Sequence, residues 1–269
     1  QAGHTVHAWN RTQSKADPLA ALGIAVHATV AEAVRQADIV VSLLENGPAV
    51  EHVLFHAGAA QAMRPGTLFI DMASIQPREA RDHAARLGEM GLAHLDAPVS
   101  GGTVGAENGT LAIMAGGRAE DFARAQPVFA ALGRATHVGP HGSGQLAKLA
   151  NQMIVGITIG AVAEALLFAA KGGADMARVR EAIQGGFADS RILQLHGQRM
   201  VDRDFAPKAR MGVQLKDMRN ALGTAKEIGF DAPVTSLFEA LYAEGVEHGL
   251  GELDHSGLFV ELASRNAMQ

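Results

Sequence analysis

The sequence predicts an α/β N-terminal domain, residues 1–141, followed by an all-α C-terminal domain, residues 142–269, the two being joined by a long interdomain helix. Short apolar runs alternate with helical patterns in the first half, which is typical of βαβ units around a mostly parallel sheet. Beyond Gly142 the pattern is almost wholly helical, with breaks at glycine pairs. A chain of 269 residues, 48% of them apolar, is long enough to bury sizeable cores.

The elements of the first half follow from local patterns. Strands are expected at short apolar or β-branched runs, at residues 4–9, 24–27, 38–44, 67–72, 92–99, 110–115 and 134–138. Helices are expected between them, at residues 14–22, 29–36, 48–58, 76–90 and 120–132. Thr29 and Glu32 form a capping-box pattern. The run 38–44 is almost unbroken in its apolar character, as expected of a strand buried on both faces.

The second half is expected to contain six helices, at residues 145–171, 176–185, 190–201, 212–228, 233–248 and 256–264. The first includes the stretch 153–170, in which Glu164 is the one charged residue. Because glycines interrupt the stretch, we expect an interdomain or core helix rather than a membrane span. A helix so apolar must bury nearly all its sides, which favours a homo-oligomer in which a second subunit covers it.

Composition excludes several functional classes. The net charge is −5 and the basic residues are scattered, so the sequence lacks the cluster of basic residues that is typical of nucleic-acid binding. The absence of cysteine excludes disulfides, thiolate metal sites and thiol nucleophiles, and it makes a cytoplasmic location the default expectation. The first residues show no basic segment followed by an apolar run, so no signal peptide is visible.

The start of the long helix carries the strongest chemical signal. Lys148 and Asn151 are three residues apart, so they share a helix face and can reach one small molecule. An ammonium near a helix N-terminus meets the positive end of the helix dipole, which disfavours its charged form and suits it to proton transfer. The alternative is a solvated lysine beside a structural amide.

The end of the first predicted strand carries a second signal, the run Asn10, Arg11 and Thr12. In dinucleotide-binding folds an acid at this place accepts from the ribose 2′-hydroxyl, whereas an arginine suits a 2′-phosphate. No carboxylate follows until Asp17, so the run favours NADP(H), with NAD(H) as the alternative cofactor. The run could also be a simple turn after a strand.

The glycine-rich loop that precedes such a strand is not in the sequence. Residues 1–3 resemble the last turn and the C-terminal glycine of a helix. A strand, its glycine loop and most of a helix need roughly 25 residues. We therefore expect that the sequence lacks about the first 25 residues of this domain.

A third motif lies in residues 96–102, where Ser100 is followed by Gly101 and Gly102. Pro98 stiffens the end of the predicted strand, Ser100 offers a hydroxyl, and glycines leave backbone N–H groups open to a carboxylate. Taken alone, the motif could be a tight turn. With residues 142–151, it makes the chain resemble the β-hydroxyacid dehydrogenase family, which includes 3-hydroxyisobutyrate dehydrogenase and the tartronate and succinic semialdehyde reductases.

This resemblance implies a Rossmann-type N-terminal domain and assigns roles to single residues. Lys148 matches the lysine that exchanges a proton with the substrate oxygen, and Asn151 matches the amide that hydrogen-bonds the substrate. The run Ser100, Gly101 and Gly102 matches the substrate-binding signature. Imine reductases, which are relatives, usually have another residue in place of this lysine, so Lys148 argues against that branch.

The resemblance also implies cofactor contacts. Lys216 matches a lysine that reaches over the nicotinamide and the substrate, whereas Asp217 is expected to have a structural pairing role. Ser74, Leu44 and Glu45 match cofactor-contact positions at the ends of two strands. Many relatives have proline where this chain has Glu45, so only a backbone contact is expected there.

The function implied is an NADP(H)-dependent oxidoreductase that interconverts a small 3-hydroxy acid and its semialdehyde, of the 3-hydroxyisobutyrate or 2-hydroxy-3-oxopropionate type. One alternative is a catalytically silent dinucleotide-binding or scaffold protein of the same fold. Another, an oxidative decarboxylase of a phosphorylated sugar acid, is disfavoured because the helical half is short and lacks a basic cluster. No metal site is expected, since the pair His52 and His56 has no third ligand nearby.

Overall fold

The computed structural model describes residues 2–268 and divides into two compact units, Gln1–Lys148 and Leu149–Gln269. The first unit contains all eight of the strands described, and the second consists of helices and turns. The predicted fold class, an α/β domain followed by an all-α domain, is therefore confirmed. The domain boundary at residue 142 stays a prediction. The long helix Ser143–Lys171 crosses the division between the two units.

The strands of the first unit form two sheets. They are β1 (His7–Ala8), β2 (Ala25–Val26), β3 (Ile39–Ser42), β4 (Leu68–Asp71), β5 (Ala93–Asp96), β6 (Val99–Ser100), β7 (Leu111–Gly117) and β8 (Gly133–Gly139). β1 and β2 form a separate parallel pair. The larger sheet has the order β3-β4-β5-β7-β6, and β8 pairs with β7. Its β3-β4-β5 part is parallel, so the carboxyl ends of these strands meet at one edge.

The helices of the first unit are α1 (Gln13–Ala16), α2 (Val30–Val34), α3 (Gly47–Glu51), α4 (Ala59–Ala62), α5 (Pro77–Glu89), α6 (Gly102–Glu107) and α7 (Ala119–Leu132). A 3₁₀ turn follows α1 at Asp17–Leu22, and a π-type turn follows α3 at His52–His56. The predicted capping box is confirmed, because Thr29 and Glu32 each accept the other's backbone N–H. The short α4 and α6 were not predicted; neither is long enough to show a helical period.

β4 lies inside the sheet and β3 at its edge. Every residue of β4 is buried, with Phe69 packing in one apolar cluster and Leu68 and Ile70 in another, as alternation along a strand requires. The prediction that residues 38–44 are buried on both faces is wrong. Val41 is 44% exposed and Leu43, two positions further on, is 69% exposed, so the face of β3 that carries them is not covered by the described residues.

Most predicted strands begin and end within one or two residues of the observed ones, but two differ more. Only His7–Ala8 of the run 4–9 pairs with another strand, while Gln1 lies outside the described residues. The run 92–99 divides into β5 and β6, with Pro98 between them. Because β7 lies between β5 and β6 in the sheet, the chain must leave the first strand before it can enter the second.

The second unit continues α8 (Ser143–Lys171) and adds α9 (Met176–Ile183), α10 (Arg191–Asp202), α11 (Met211–Glu227), α12 (Pro233–Gly245) and α13 (Leu258–Arg265). Short turns at Val246–Leu250 and His255–Gly257 precede α13. One apolar core unites them, and its fully buried members include Ile159, Tyr242 and Phe259. α8 is long and apolar enough to span a membrane by length and composition, and 39% of its most apolar window is buried within the protein.

Candidate active site

The carboxylate of Asp96 holds the start of α8. Asp96 ends β5, where its Oδ1 accepts the backbone N–H of Gly142 at 2.8 Å and its Oδ2 accepts that of Gln145 at 2.9 Å. These N–H groups belong to the end of a helix that lacks internal acceptors and carries positive dipole charge, so a carboxylate suits it. Burial raises the pKa of Asp96 to about 6, although the hydrogen bonds from Gly142 and Gln145 act in the opposite direction.

Two glycines allow this close approach. A Cβ on Gly144 would lie 2.3 Å from the backbone oxygen of Asp96 and 2.4 Å from that of Met114. A Cβ on Gly116, in β7, would lie 2.6 Å from the backbone nitrogen of Gly144 and 2.7 Å from Oδ1 of Asp96. No real side chain tolerates such contacts, so the glycines let α8 begin directly against two strands. The helix that carries Lys148 is therefore fixed at its first turn.

The Gln145 side chain joins the same helix to the loop after β4. Its Nε2 donates to the backbone oxygen of Ala73 at 2.8 Å, and its Oε1 accepts the backbone N–H of Ile75 at 3.1 Å. Gln145 is fully buried, which strengthens both bonds against exchange with water. Ser74 lies between the two bonded residues, so Gln145 fixes the loop that presents a predicted cofactor contact.

Lys148 lies one turn further along α8 and is 9% exposed. Asn151 follows it on the same helix at i+3 and is half-buried, with its Nδ2 donating to the Oε1 of Gln152 at 2.9 Å. A buried lysine is uncommon, because taking an ammonium out of water is costly. Its place on an anchored helix start is the arrangement expected of a proton-transfer group.

The predicted carboxylate-binding run adjoins β6 and α6. Ser100 is half-buried and its backbone pairs with Ala112 in β7. Gly101 has φ 138° and Gly102 has φ 62°, values that side chains rarely adopt, and both residues are exposed. A Cβ on Gly101 would also come within 3.1 Å of the Leu111 side chain. The glycines are thus required for the turn itself and leave its backbone accessible.

The remaining cofactor candidates of the first unit lie after strands. Asn10, Arg11 and Thr12 follow β1 and are all exposed, and the Oδ1 of Asn10 accepts the backbone N–H of Thr12 at 2.9 Å. Leu44, half-buried, and Glu45, exposed, follow β3. Ser74 follows β4, so β3 and β4 present their candidates at the same edge of the parallel sheet.

In the second unit, Lys216 and Asp217 lie on α11. The Nζ of Lys216 is 3.0 Å from the Oδ1 of Asp217. The Oδ2 of Asp217 accepts a hydrogen bond from the Nε2 of Gln152 at 2.7 Å. Gln214 adds a bond from its Nε2 to the backbone oxygen of Gln152 at 3.0 Å. Asp217 is buried and links α11 to α8, which is the structural pairing predicted for it. Lys216 keeps 37% of its side chain exposed.

Sequence reasoning missed two buried carboxyls and the role of Gln145. Asp71, at the end of β4, accepts the backbone N–H of Ala73 through Oδ1, while its Oδ2 has no partner within the described residues. Burial, together with the charge of Asp96, raises the pKa of Asp71 to about 7. Asp71 and Asp96 both interrupt apolar runs in the sequence. A charged residue inside a strand that is predicted to be buried is the signal that could have marked them.

The histidines of the first unit include a stacked pair and a buried residue without hydrogen-bond partners. His52 and His56 stack with ring centroids 5.9 Å apart. His94 is 2% exposed, neither of its ring nitrogens has a hydrogen-bond partner among the described residues, and burial lowers its pKa to about 3. The expected absence of a metal site stays a prediction. Two groups of side chains bring potential ligand atoms within 4.8 Å of one another: His94, Asp96 and His141, and His196, Asp254 and His255.

The chain matches two known protein families in succession. Residues 1–139 match the NAD binding domain of 6-phosphogluconate dehydrogenase. Residues 142–262 match the family described as NAD-binding of NADP-dependent 3-hydroxyisobutyrate dehydrogenase. Together the two matches cover almost the whole chain, and both describe nicotinamide dinucleotide binding.

Individual relatives extend over nearly the same length. The chain is 43% identical to the 2-hydroxy-3-oxopropionate reductase of Escherichia coli, over 96% of this chain and 89% of that protein. It is 33% identical to the NAD-dependent L-serine dehydrogenase of Pseudomonas aeruginosa, over 95% of this chain and 89% of that protein. The structure of the Mycobacterium tuberculosis 3-hydroxyisobutyrate dehydrogenase with L-serine superposes with a TM-score of 0.89 at 32% identity, covering 97% of this chain and 91% of that one.

Proposed function

Because this chain belongs to the β-hydroxyacid dehydrogenase family, we propose that it interconverts a small 3-hydroxy acid and the corresponding semialdehyde with NADP(H). The observation that carries the proposal is Lys148, a buried lysine on a helix start that Asp96 and Gln145 hold in place. The names of the relatives make 2-hydroxy-3-oxopropionate and 3-hydroxyisobutyrate the first substrates to test.

The residues have complementary roles in this proposal. Backbone N–H groups of Gly101 and Gly102 and the hydroxyl of Ser100 bind the substrate carboxylate. Asn151 donates a hydrogen bond that orients the substrate. The nicotinamide, when bound, supplies or accepts the hydride. As negative charge grows on the carbonyl oxygen, the Nζ of Lys148 donates a proton to it, and in the oxidative direction the same nitrogen accepts the hydroxyl proton.

The cofactor proposal rests on the residues that follow β1. Arg11 is exposed, and the run Asn10, Arg11 and Thr12 places no carboxylate where a ribose 2′-hydroxyl would otherwise be bound. A 2′-phosphate fits a guanidinium there, so we infer a preference for NADPH over NADH. Further cofactor contacts are proposed for Leu44, the backbone at Glu45, Ser74 and Lys216.

A homo-oligomer formed through the helical unit is part of the proposal. α8 exposes large apolar side chains, with Ile154 at 66% and Phe168 at 80%. Residues of this kind on one helix favour coverage by a partner surface. Size-exclusion chromatography with light scattering should give a mass of two or four chains, whereas a monomer at micromolar concentration would contradict the oligomer.

The test of the activity is the oxidation of NADPH with a panel of tartronate, methylmalonate and succinic semialdehydes and glyoxylate. One member should be reduced, with NADPH preferred to NADH. Lys148→Ala should lower kcat by about 10²–10⁴-fold, as expected when a general acid is removed. Lys171→Ala, a lysine at the other end of the same helix, is the matched control and should leave kcat unchanged.

The same panel separates the enzyme from a silent dinucleotide-binding protein. Saturable NADPH binding, detected by its fluorescence, with no turnover of any substrate would support the silent alternative. Full activity in Lys148→Ala would overturn the role given to this lysine and leave the family membership intact. Arg11→Ala should raise the KM for NADPH at least tenfold more than the KM for NADH, with Arg35→Ala, also exposed, as its control.

A further inference from the structure

Two histidines of the helical unit face each other through the same ring nitrogen. His196 lies in α10, and His255 begins the turn that leads into α13. Their Nε2 atoms are 3.3 Å apart, and the rings meet at an interplanar angle of 82° with centroids 4.6 Å apart. Both side chains are half-buried.

The 3.3 Å separation of the two nitrogens can be compared with the distances found in metal sites and in hydrogen bonds. Two nitrogens bound at about 2.0–2.1 Å to a tetrahedral Zn²⁺ ion lie about 3.3–3.4 Å apart, the edge of the tetrahedron. Hydrogen bonds from N–H groups to oxygen usually span about 2.7–3.2 Å, so the contact at 3.3 Å is at most a long hydrogen bond between the two rings. The exposed pair His7 and His27 provides the contrast, because its ring nitrogens are 2.8 Å apart, at ordinary hydrogen-bond distance. The His196–His255 pair has the spacing of metal ligands.

Behind His196 lies the carboxylate of Asp254, which is slightly too far away to hydrogen-bond the His196 ring in this structure. The Nδ1 of His196 is 3.6 Å from the Oδ1 of Asp254. Asp254 is fully buried, with Ser256 donating to Oδ1 and Arg199 lying 3.1 Å from Oδ2. Histidines that bind metals usually direct the second ring nitrogen to a carboxylate, which fixes the tautomer and directs the Nε2 lone pair outward.

Further contacts hold the Asp254 carboxylate in place. Backbone N–H groups of Lys208 and Ala209 add two more bonds to Oδ2 at 3.2 Å. The carboxylate is therefore fixed in position by its contacts with Arg199, Ser256 and these two N–H groups.

We propose that His196 and His255 chelate one divalent transition-metal ion of the Zn²⁺ class through their Nε2 atoms, with the carboxylate of Asp254 next to His196. Water completes the coordination. Imidazole nitrogen is a preferred ligand of Zn²⁺, Cu²⁺ and Ni²⁺ and a poor one of Mg²⁺ and Ca²⁺, which sets the class of ion. The ion links α10 to the turn before α13, two segments 59 residues apart in sequence.

The test is calorimetric titration of ZnCl₂ into the untagged full chain after treatment with a chelator. One ion should bind per chain, and saturation should raise Tm, because an ion that binds only the folded chain stabilises it. His196→Gln and His255→Gln should each weaken binding at least tenfold. His27→Gln, which removes one member of the exposed pair, is the matched control and should bind as the parent does. MgCl₂ should neither bind nor raise Tm.

A measurement on the unmodified chain covers the case in which a variant does not fold. Crystals soaked in ZnCl₂ should show an anomalous peak between the two Nε2 atoms at the zinc edge. A peak elsewhere with none at this place would overturn the proposal, as would the absence of zinc binding in solution. Undiminished binding in both folded Gln variants, with loss in His27→Gln, would move the site to the other pair and would also overturn it.

Discussion

The Oδ2 of Asp96 accepts the backbone N–H of Gln145 at 2.9 Å, and the side chain of Gln145 continues the connection to Ala73 and Ile75. The end of β5, the start of α8 and the loop after β4 are thus joined through one buried glutamine. Lys148 follows on the anchored helix, and Ser74 lies within the anchored loop. Four expected outcomes follow from this part of the fold.

Asp96→Ala should loosen the first turn of α8. The variant leaves the N–H groups of Gly142 and Gln145 without their acceptor, and a buried donor without a partner costs about 1–3 kcal/mol. Hydrogen exchange of the peptide covering residues 142–148 should accelerate, and kcat should fall because Lys148 is less firmly placed. Asp82→Ala, at an exposed position of α5, is the control and should change neither. Unchanged exchange in Asp96→Ala would show that the helix start does not depend on this carboxylate.

Gln145→Leu should act on the cofactor more than on the chemical step. It removes both bonds to the loop at residues 73–75, so the KM for NADPH should rise several-fold while kcat changes less. Gln145→Glu retains an acceptor for Ile75 and loses the donor to Ala73, and it should lie between the parent and the leucine variant. Gln198→Leu, whose side chain donates a hydrogen bond to Asp202 on the same helix α10, serves as the control. A pure loss of kcat at unchanged KM would contradict the role as a positioning residue for the loop.

Gly144→Ala should be strongly destabilising, whereas Gly88→Ala should not. The added Cβ at Gly144 would meet two backbone oxygens, and such overpacking typically costs about 1–3 kcal/mol or more. Gly88 lies inside α5 with nothing within 4 Å of an added Cβ, so alanine there should stabilise by about 0.5–1 kcal/mol. Urea titrations of both variants give the comparison, and equal effects would contradict the close packing at Gly144.

His94→Phe should reduce the loss of unfolding free energy that occurs as the pH falls from about 6.5 to about 3. The native pKa of His94 is lowered to about 3, so between about pH 3 and 6.5 the unfolded chain binds a proton that the native state does not. Parent stability is therefore lost as the pH falls through this window, with a contribution from His94 approaching about 1.4 kcal/mol per pH unit. Phenylalanine removes this contribution and leaves two fewer unpartnered nitrogens beside Phe69. Parallel profiles for the two proteins from urea titrations at pH 4–7 would contradict the assignment.

Much of the fold could be predicted from local sequence patterns. The capping box of Thr29 and Glu32, the glycine ends of helices and the apolar period of the second half each depend on residues within a few positions of one another. The same locality explains why the pair Lys148 and Asn151 was visible in the sequence. The family resemblance added candidates such as Ser74, which no local pattern marks.

Contacts between residues far apart in the sequence could not be predicted from local patterns. The partners of Gln145 lie 70 and 72 residues away, and Asp96 lies 46 residues from Gly142. The division of residues 92–99 into β5 and β6 depends on β7, which enters the sheet only later in the chain. The exposed edge of β3 likewise follows from which strands pair, a property of the whole sheet.

The bond between Asp96 and Gln145 also bears on the order of folding. α8 is apolar enough to form as a helix early, but its first turn receives its acceptors only once β5 and β7 are in register, and long-range pairing of this kind is slow. We expect the amides of Gly142 and Gln145 to gain protection with the sheet rather than with the rest of the helix. The helix start that carries Lys148, the proposed acid–base residue, would then be the last part of the helix to become ordered, so that an incompletely folded chain would have the helix without the proposed reactivity.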